Sequence, residues 1–405
     1  MARRDSRSRP PRGDVLRLPE SLSGKLLAGH PWVYRDHVPK GRTPPRTGAF
    51  VRVQAGAFEA VALWDPVSPI ALRIFSRERV PDAAWFNARV REALSLRGPL
   101  RAAGTTAFRL LNGEGDGVPG VVADVYERFV VLVTYADSLA SVLPMLVAAL
   151  ERELAPEGIV LRERRSAGDS GDAESRLRLL SGQKPPSRLV VSENGMRLSA
   201  NLEAGQKTGL FLDHRENRAF VRALAQGREC LNLFSYTGAF SVALALGGAK
   251  HVTSVDVATG ALDAARENFA LNRLAPEEHA FVAADVFRYL EAARAEGRRF
   301  DLVVCDPPSF AKSREHARAA LRAYVRLNAQ GLSVTRPGGL YAAASCTAQV
   351  SPEAFRDALA QAAARARVRF QIVHDAAQAI DHPVAVGHPE GRYLKFVLGR
   401  VLERA

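Results

Sequence analysis

Cysteine is scarce: the 405-residue chain has three, Cys230, Cys305 and Cys346, widely separated and without a C-x-x-C pair. That spacing argues against a disulfide framework and a thiolate zinc site, so reduced thiols in a reducing compartment and no resident metal are expected. Long apolar runs are also missing, and the opening "MARRDSRSRPPR" has no hydrophobic stretch of the kind a secretory signal carries. A cytoplasmic protein with no membrane partner is the expectation. Acidic residues are in deficit, 43 Asp and Glu against 56 Lys and Arg, for a formal net charge of +13. A surplus of that sign points to a polyanionic partner. A full G-x-G-x-x-G fingerprint is absent too, which argues against a dinucleotide held by its pyrophosphate.

What is present divides into segments, since a chain of this length exceeds one ordinary core. Residues 1–13, with five arginines among Ser and Pro, cannot build a core and read as a disordered basic tail. Residues 14–78 hold short β-type runs such as "AFVRVQ" and "EAVALW" broken by Gly and Pro, the pattern of a small all-β module. Residues 79–190 read as an α+β middle domain. Its helix at 82–97 sets Trp85, Phe86, Val90, Leu94 and Leu96 near one side, and its two strands in 112–135 turn at Glu127 and Arg128. The Gly/Asp loop "NGEGDG" ahead of them reads as turn chemistry, and 166–187 as a polar surface loop.

From residue 191 to 405 strands and helices alternate, the mark of a doubly wound, seven-stranded, Rossmann-like α/β domain. Such a sheet gathers a nucleotide-type crevice at the C-terminal ends of its strands. The first strand runs into "NLFSYTGAF", a sharp loop in which Gly238 opens a helix and backbone N–H groups can meet an anion. The second ends on Asp256, placed to accept both hydroxyls of a ribose, the third on Asp285 and the fourth on Asp306. Three carboxylates at neighbouring tips suit an adenine amino group and a sulfonium; each alone would also serve as a helix cap.

The stretches "NLFSYTGAFSVALALGGAKHVTSVDVATGALDAARENFALN", "FDLVVCDPPSF", "SCT" and "AIDHPVAVGHPEGRYLKF" resemble the class I S-adenosylmethionine-dependent large-subunit rRNA cytosine-C5 methyltransferases that carry an N-terminal PUA domain. "AGQKTGLFLDHREN" (204–217) is similar to the segment leading into that family's cofactor fold, and "GKLLAGHPWVYRDHV" (24–38) to the opening of a PUA domain. The resemblance covers most of the chain and is most specific from 193 onward. It implies S-adenosylmethionine as cofactor, with Phe234, Ser235, Tyr236, Thr237 and Gly238 around its methionine end. It further implies Asp256 with Val257 at the ribose, Asp285 with Val286 at the adenine, Asp306 beside the transferred group, and Lys207 and Thr208 facing the cofactor's carboxylate.

Carbon-5 of cytosine is too weak a nucleophile to take a methyl group unaided, so such an enzyme first adds a thiolate at carbon-6. Cys346, at the tip of the fifth strand, is the candidate nucleophile, and Asp306 on the neighbouring tip would hydrogen-bond the base at N3 or N4. By strand alternation Cys305 should point into the sheet's packing, and Ser309 stands where another subgroup has its second cysteine. The "DPPSF" at 306–310 also resembles the N/D-P-P-Y/F motif of enzymes that methylate exocyclic amines, with Phe310 available to stack, which keeps nitrogen methylation as the rival reading. A non-catalytic RNA-binding or ribosome-assembly factor is a third. Ribosomal RNA is the expected partner, with a homodimer left open. Arg35, Lys40, Arg42 and Arg46 are candidate phosphate contacts, whereas Pro31 and Trp32 are expected in the core or a turn.

Overall fold

The computed structural model describes residues 15–39, 44–163, 177–203, 205–310 and 317–403. The basic tail, Lys40, Arg42 and 166–176 of the polar loop lie outside the described residues.

The N-terminal unit is a five-stranded sheet of β1 (Leu16–Arg17), β2 (Trp32–Tyr34), β3 (Phe50–Ala55), β4 (Phe58–Trp64) and β5 (Ile70–Ser76), in the order β1-β3-β4-β5-β2, with the short helix α1 (Ser23–Leu27) beside it. Its small core gathers Leu26, Val33, Val53, Phe58, Trp64 and Leu72.

The middle unit begins with α2 (Ala83–Leu96), capped by Asp82, whose carboxylate accepts from Trp85 N. Its buried face is Phe86, Val90 and Ala93, while Leu96 turns to solvent, because 100° steps carry position 96 past the face that 86, 90 and 93 define. Burying a side chain such as Phe86 contributes about 1.5–3 kcal/mol. There follow α3 (Gly98–Ala102), β6 (Ala107–Asn112), β7 (Val121–Tyr126), β8 (Phe129–Thr134), α4 (Leu143–Leu154), β9 (Gly158–Arg162) and β10 (Leu177–Gly182), the strands ordered β10-β9-β8-β7-β6. The β7–β8 turn at Glu127 and Arg128 is tight, with Glu127 at φ 54°. A hairpin of β11 (Leu189–Glu193) and β12 (Met196–Ala200) leads onward.

The C-terminal unit comprises α5 (Arg215–Ala223), β13 (Glu229–Leu233), α6 (Ala239–Leu246), β14 (His251–Asp256), α7 (Thr259–Leu271), β15 (Ala280–Ala283), α8 (Val286–Ala295), β16 (Phe300–Cys305), α9 (Ala317–Ser333), β17 (Thr335–Ser345), α10 (Pro352–Ala366), β18 (Val368–Ala376) and β19 (Lys395–Glu403). Its sheet runs β15-β14-β13-β16-β17-β19-β18, parallel from β15 to β17, with β19 antiparallel to both neighbours. Alternation sends Cys230, Leu302, Val304, Ala342 and Phe396 toward α5–α7, and Leu231, Val303, Cys305, Tyr341 and Val397 toward α8–α10. The central strands are therefore covered on two faces, while the edge strand β18 stays largely exposed, and function is left to the loops at the C-terminal edge, where the order reverses between β13 and β16. No helix among the described residues is long and apolar enough to cross a membrane.

Candidate active site

The loop after β13 is the first wall of the site. Phe234 (φ 58°) and Tyr236 (φ 46°) both adopt left-handed backbone, a strained choice for non-glycine residues that is tolerated where the surroundings enforce it. The enforcement is visible: Tyr236 N donates to Asp256 Oδ2 at 2.9 Å, and Ser235 N donates to Val255 O at 3.0 Å. Gly238 (φ 77°) caps α6, and a Cβ there would sit 2.7 Å from Ala265 Cβ, so only glycine lets α6 pack this closely on α7.

Around this loop lies a cavity of about 290 Å³. Phe234, Ser235, Tyr236, Thr237, Asp256, Val257, Asp306, Lys207 and Cys346, all named from sequence, line it. Gly238 does not line it and serves as the N-cap of α6. Three other expected residues do not line it. Asp285 is occupied as the cap of α8, its Oδ1 accepting from Arg288 N at 3.0 Å, and Val286 is buried in the core beneath. Thr208 turns to the opposite side, where its Oγ1 donates to Asp124 Oδ2 at 2.6 Å and meets the Tyr126 hydroxyl at 2.9 Å.

Several cavity residues went unnamed in the sequence reading. Asp213, His214, Arg218, Phe211 and Phe240 line it as well. The signal lay in "LDHREN", a charged run that forms the start of α5 and is buried: Asp213, His214, Arg215, Asn217 and Arg218 are all under 4% exposed. A helix start with its polar side turned inward must find partners, and it does. Arg218 forms a bidentate pair with Glu193 at 2.6 and 2.7 Å, and Lys207 Nζ meets Asp213 Oδ2 at 2.6 Å. Burial alone would raise the Asp213 carboxyl, but Lys207, His214 and His382 outweigh it and hold the group well below its ordinary range. Lys207 therefore already has its counter-charge. Asn217 Nδ2 lies 3.1 Å from His214 Nδ1, and His214 Nε2 lies 3.3 Å from Asp306 Oδ2, so a histidine backs the carboxylate on the β16 tip.

A second, larger cavity of about 730 Å³ lies between all three units. Trp32 and Tyr34 come from the N-terminal sheet, Arg109, Glu114, Tyr135 and Arg162 from the middle unit, and Lys207, Cys346, His388 and Tyr393 from the C-terminal unit. Trp32 is thus a cleft residue and not core: its Nε1 donates to Glu114 Oε1 at 2.7 Å, and its ring meets His388 edge-on at 4.2 Å. Arg35 is not free for phosphate, because its guanidinium donates to the carbonyls of Asp65 and Ser68 at 2.6 Å each. Hydrogen bonds tie the middle unit to the C-terminal unit beside the cleft. Asp381 accepts from Arg109 N and Arg215 Nη1, both at 2.8 Å, while its own carbonyl accepts from Arg97 Nη2 at 2.7 Å.

Two residues, Lys207 and Cys346, line both cavities. Cys346 follows β17 directly and Asp306 follows β16; the register sets Cys305 against Ala343, and both Cys346 and Asp306 line the smaller cavity. Burial pushes its thiol up, Asp306 adds to the rise and Lys207 opposes it. Cys305 faces the α8–α10 layer, and burial pushes its thiol up to about 12.

Fold and site together define a nucleoside-cofactor enzyme of the doubly wound class. The family profile described as S-adenosylmethionine-dependent methyltransferase matches residues 154–383, and that of a PUA-like domain matches 16–77. The chain belongs to the S-adenosylmethionine-dependent methyltransferases and carries an N-terminal PUA-like domain. The Yersinia pestis protein named ribosomal RNA large subunit methyltransferase I is 36% identical over 93% of this chain and 96% of its own length. A crystal structure of a methyltransferase complexed with SAH superposes with a TM-score of 0.84 at 27% identity, covering 96% of this chain and all of that one. A Streptococcus mutans S-adenosylmethionine-dependent methyltransferase gives 0.83 at the same identity and coverage.

S-adenosylmethionine is the cofactor, and the smaller cavity suits it. Asp256 offers acceptors for ribose hydroxyls, aromatic rings form apolar walls, and Ser235 Oγ is buried in the wall with no hydrogen-bond partner among the described residues.

Proposed function

We propose that this enzyme methylates carbon-5 of a cytidine in large-subunit ribosomal RNA, with Cys346 as the covalent nucleophile. The observation that carries the reading is the position of Cys346 in the wall shared by the two cavities. A base entering through the cleft would meet the sulfur on one side and the cofactor's methyl group beyond it. The relative's name supports ribosomal RNA as substrate, and the net charge of +13 suits any polyanion.

S-adenosylmethionine supplies an electrophilic methyl group on a sulfonium centre. Cys346 Sγ adds to carbon-6 of the base, which turns carbon-5 into an enamine-like nucleophile. Asp306, held by His214, accepts a hydrogen bond from the base or shares its proton as charge develops at N3. After methyl transfer, a water or Asp306 takes the carbon-5 proton, the C–H electron pair re-forms the carbon-5–carbon-6 double bond, and Cys346 Sγ leaves as thiolate. Asp256 and residues 234–237, which line the smaller cavity, would hold the cofactor.

Nitrogen methylation is the rival, because Asp306, Pro307 and Pro308 line the cofactor cavity. The aromatic that such a reaction needs is committed elsewhere: the Phe310 ring packs on Tyr324 with centroids 4.9 Å apart and joins the α8–α10 core. Cys346→Ala separates the readings in an assay with large-subunit RNA. Methyl transfer should fall to background while S-adenosylmethionine affinity stays within about twofold, because the thiol contributes little to a ligand bound through Asp256. Full retained activity would move the target to nitrogen. Mapping 5-methylcytidine in ribosomal RNA from a strain lacking the protein would identify the nucleotide.

A further inference from the structure

A thiol whose surroundings push it upward needs a source of positive charge to attack a base near neutral pH. Asp306 on the β16 tip works against ionisation, as does Asp213 on the segment ahead of α5. Lys207 works for it but is matched by Asp213 at 2.6 Å. Tyr324 of α9, near Ser345 and Cys346, carries a hydroxyl pushed up to about 12 by burial and stays neutral.

Among the described residues a further cation stands on the antiparallel neighbour of β17. Lys395 opens β19, and its Cα partner is Ser345, the residue before Cys346. Its Nζ donates to the carbonyl of Thr347, the residue after Cys346, and to Tyr393 O at 2.9 Å. The side chain is buried, with the residue 3% exposed, and lines neither cavity, so it does not touch the substrate. Among the described residues no carboxylate lies within ion-pair distance of Nζ, and Arg392, a second cation, works against the ammonium. A buried ammonium without a carboxylate is costly and is retained where an anion forms beside it.

We propose that Lys395 is a positioning residue for Cys346: it holds the backbone on both sides of the sulfur and supplies the positive charge that stabilises the thiolate. The proposal rests on the nucleophile reading above. The S–H proton leaves to solvent water, the electron pair left on sulfur lies in the field of the ammonium, and that pair forms the bond to carbon-6. Burial pushes the Lys395 amine down to about 8 while Cys346 pulls it back up, so the ammonium persists below that pH and is lost above it.

The test is the pH dependence of iodoacetamide labelling of Cys346 in the full-length protein, located by peptide mass mapping. Cys230 and Cys305, buried with thiols pushed up to about 12, stay silent. Lys395→Met and Lys395→Gln remove the charge, and Gln keeps an N–H donor for the Thr347 carbonyl. Both should move the labelling profile up by about one pH unit, making labelling near pH 7 about tenfold slower, while Lys395→Arg stays within about threefold of the parent. S-adenosylmethionine affinity confirms that each variant is folded, and Gln serves if Met is not. Parent-like labelling in the Gln variant overturns the proposal, as does an Arg variant as slow as Gln. The Cys346→Ala assay decides whether sulfur attacks the base; the labelling profile decides what charges the sulfur, so either can fail alone.

Discussion

The two cavities that share Cys346 are built in opposite ways. The smaller draws on one domain and the segment leading into it, with walls at successive strand tips and loops between residues 198 and 346. The larger draws on all three units, from Trp32 to Tyr393, which hydrogen bonds such as Trp32 to Glu114 and Arg109 N to Asp381 join. A cofactor common to a whole class of enzymes is met by a local, backbone-shaped pocket. The larger cleft is an assembly, and its shape is an outcome of domain packing.

The strongest way to break the contrast is Asp381→Ala. It leaves Arg215 buried without its carboxylate and removes the acceptor for Arg109 N, which should cost about 3–5 kcal/mol of stability in chemical denaturation. Acid sharpens this: burial would raise the Asp381 carboxyl, but His382 and Arg215 hold it well below its ordinary range. Its contribution is therefore complete above an ordinary carboxyl value of about 4 and is lost as pH falls through the lower folded value, so the parent and Asp381→Ala stability curves should converge on acidification. Asp256→Ala strikes the local pocket instead. Removing an ionised acceptor worth about 1.5–3 kcal/mol should weaken S-adenosylmethionine binding roughly 10- to 100-fold by calorimetry, with RNA affinity unchanged. The smallest effect is expected at Asp285→Ala, about 1 kcal/mol of stability for a lost helix cap. Its cofactor affinity should be that of the parent, and a tenfold loss would return Asp285 to the adenine.

The comparison also explains what could be read from the amino-acid order. The alternation of strand and helix after residue 191, the loop 234–238, Asp256, Asp306 and Cys346 were legible, because a doubly wound sheet sends consecutive strand tips to one edge. Asp285 shows the limit: a carboxylate after a strand serves a ligand or a helix with the same spelling, and here one oxygen of Asp285 caps α8 while both oxygens of Asp256 also accept from backbone N–H groups. Thr208 and Lys207 are adjacent in sequence, yet a turn with Lys207 at φ 52° sends Thr208 to Asp124 and keeps Lys207 on Asp213. His214 behind Asp306, Trp32 against Glu114 and His388, and Lys395 beside the Cys346 backbone join residues tens to hundreds of positions apart, which no local pattern encodes.

The sequence by itself determined the sheet, its two covered faces and the set of groups at its edge, since side-chain period and strand order follow from local pattern and chain direction. Tertiary structure alone decided which charges are already matched, which polar atoms are left for a ligand, and that one sulfur opens onto both cavities. Burial and pairing are properties of neighbours in space, and Cys346 and Lys395 stand at opposite ends of a stretch of nearly fifty residues that holds α10 and β18.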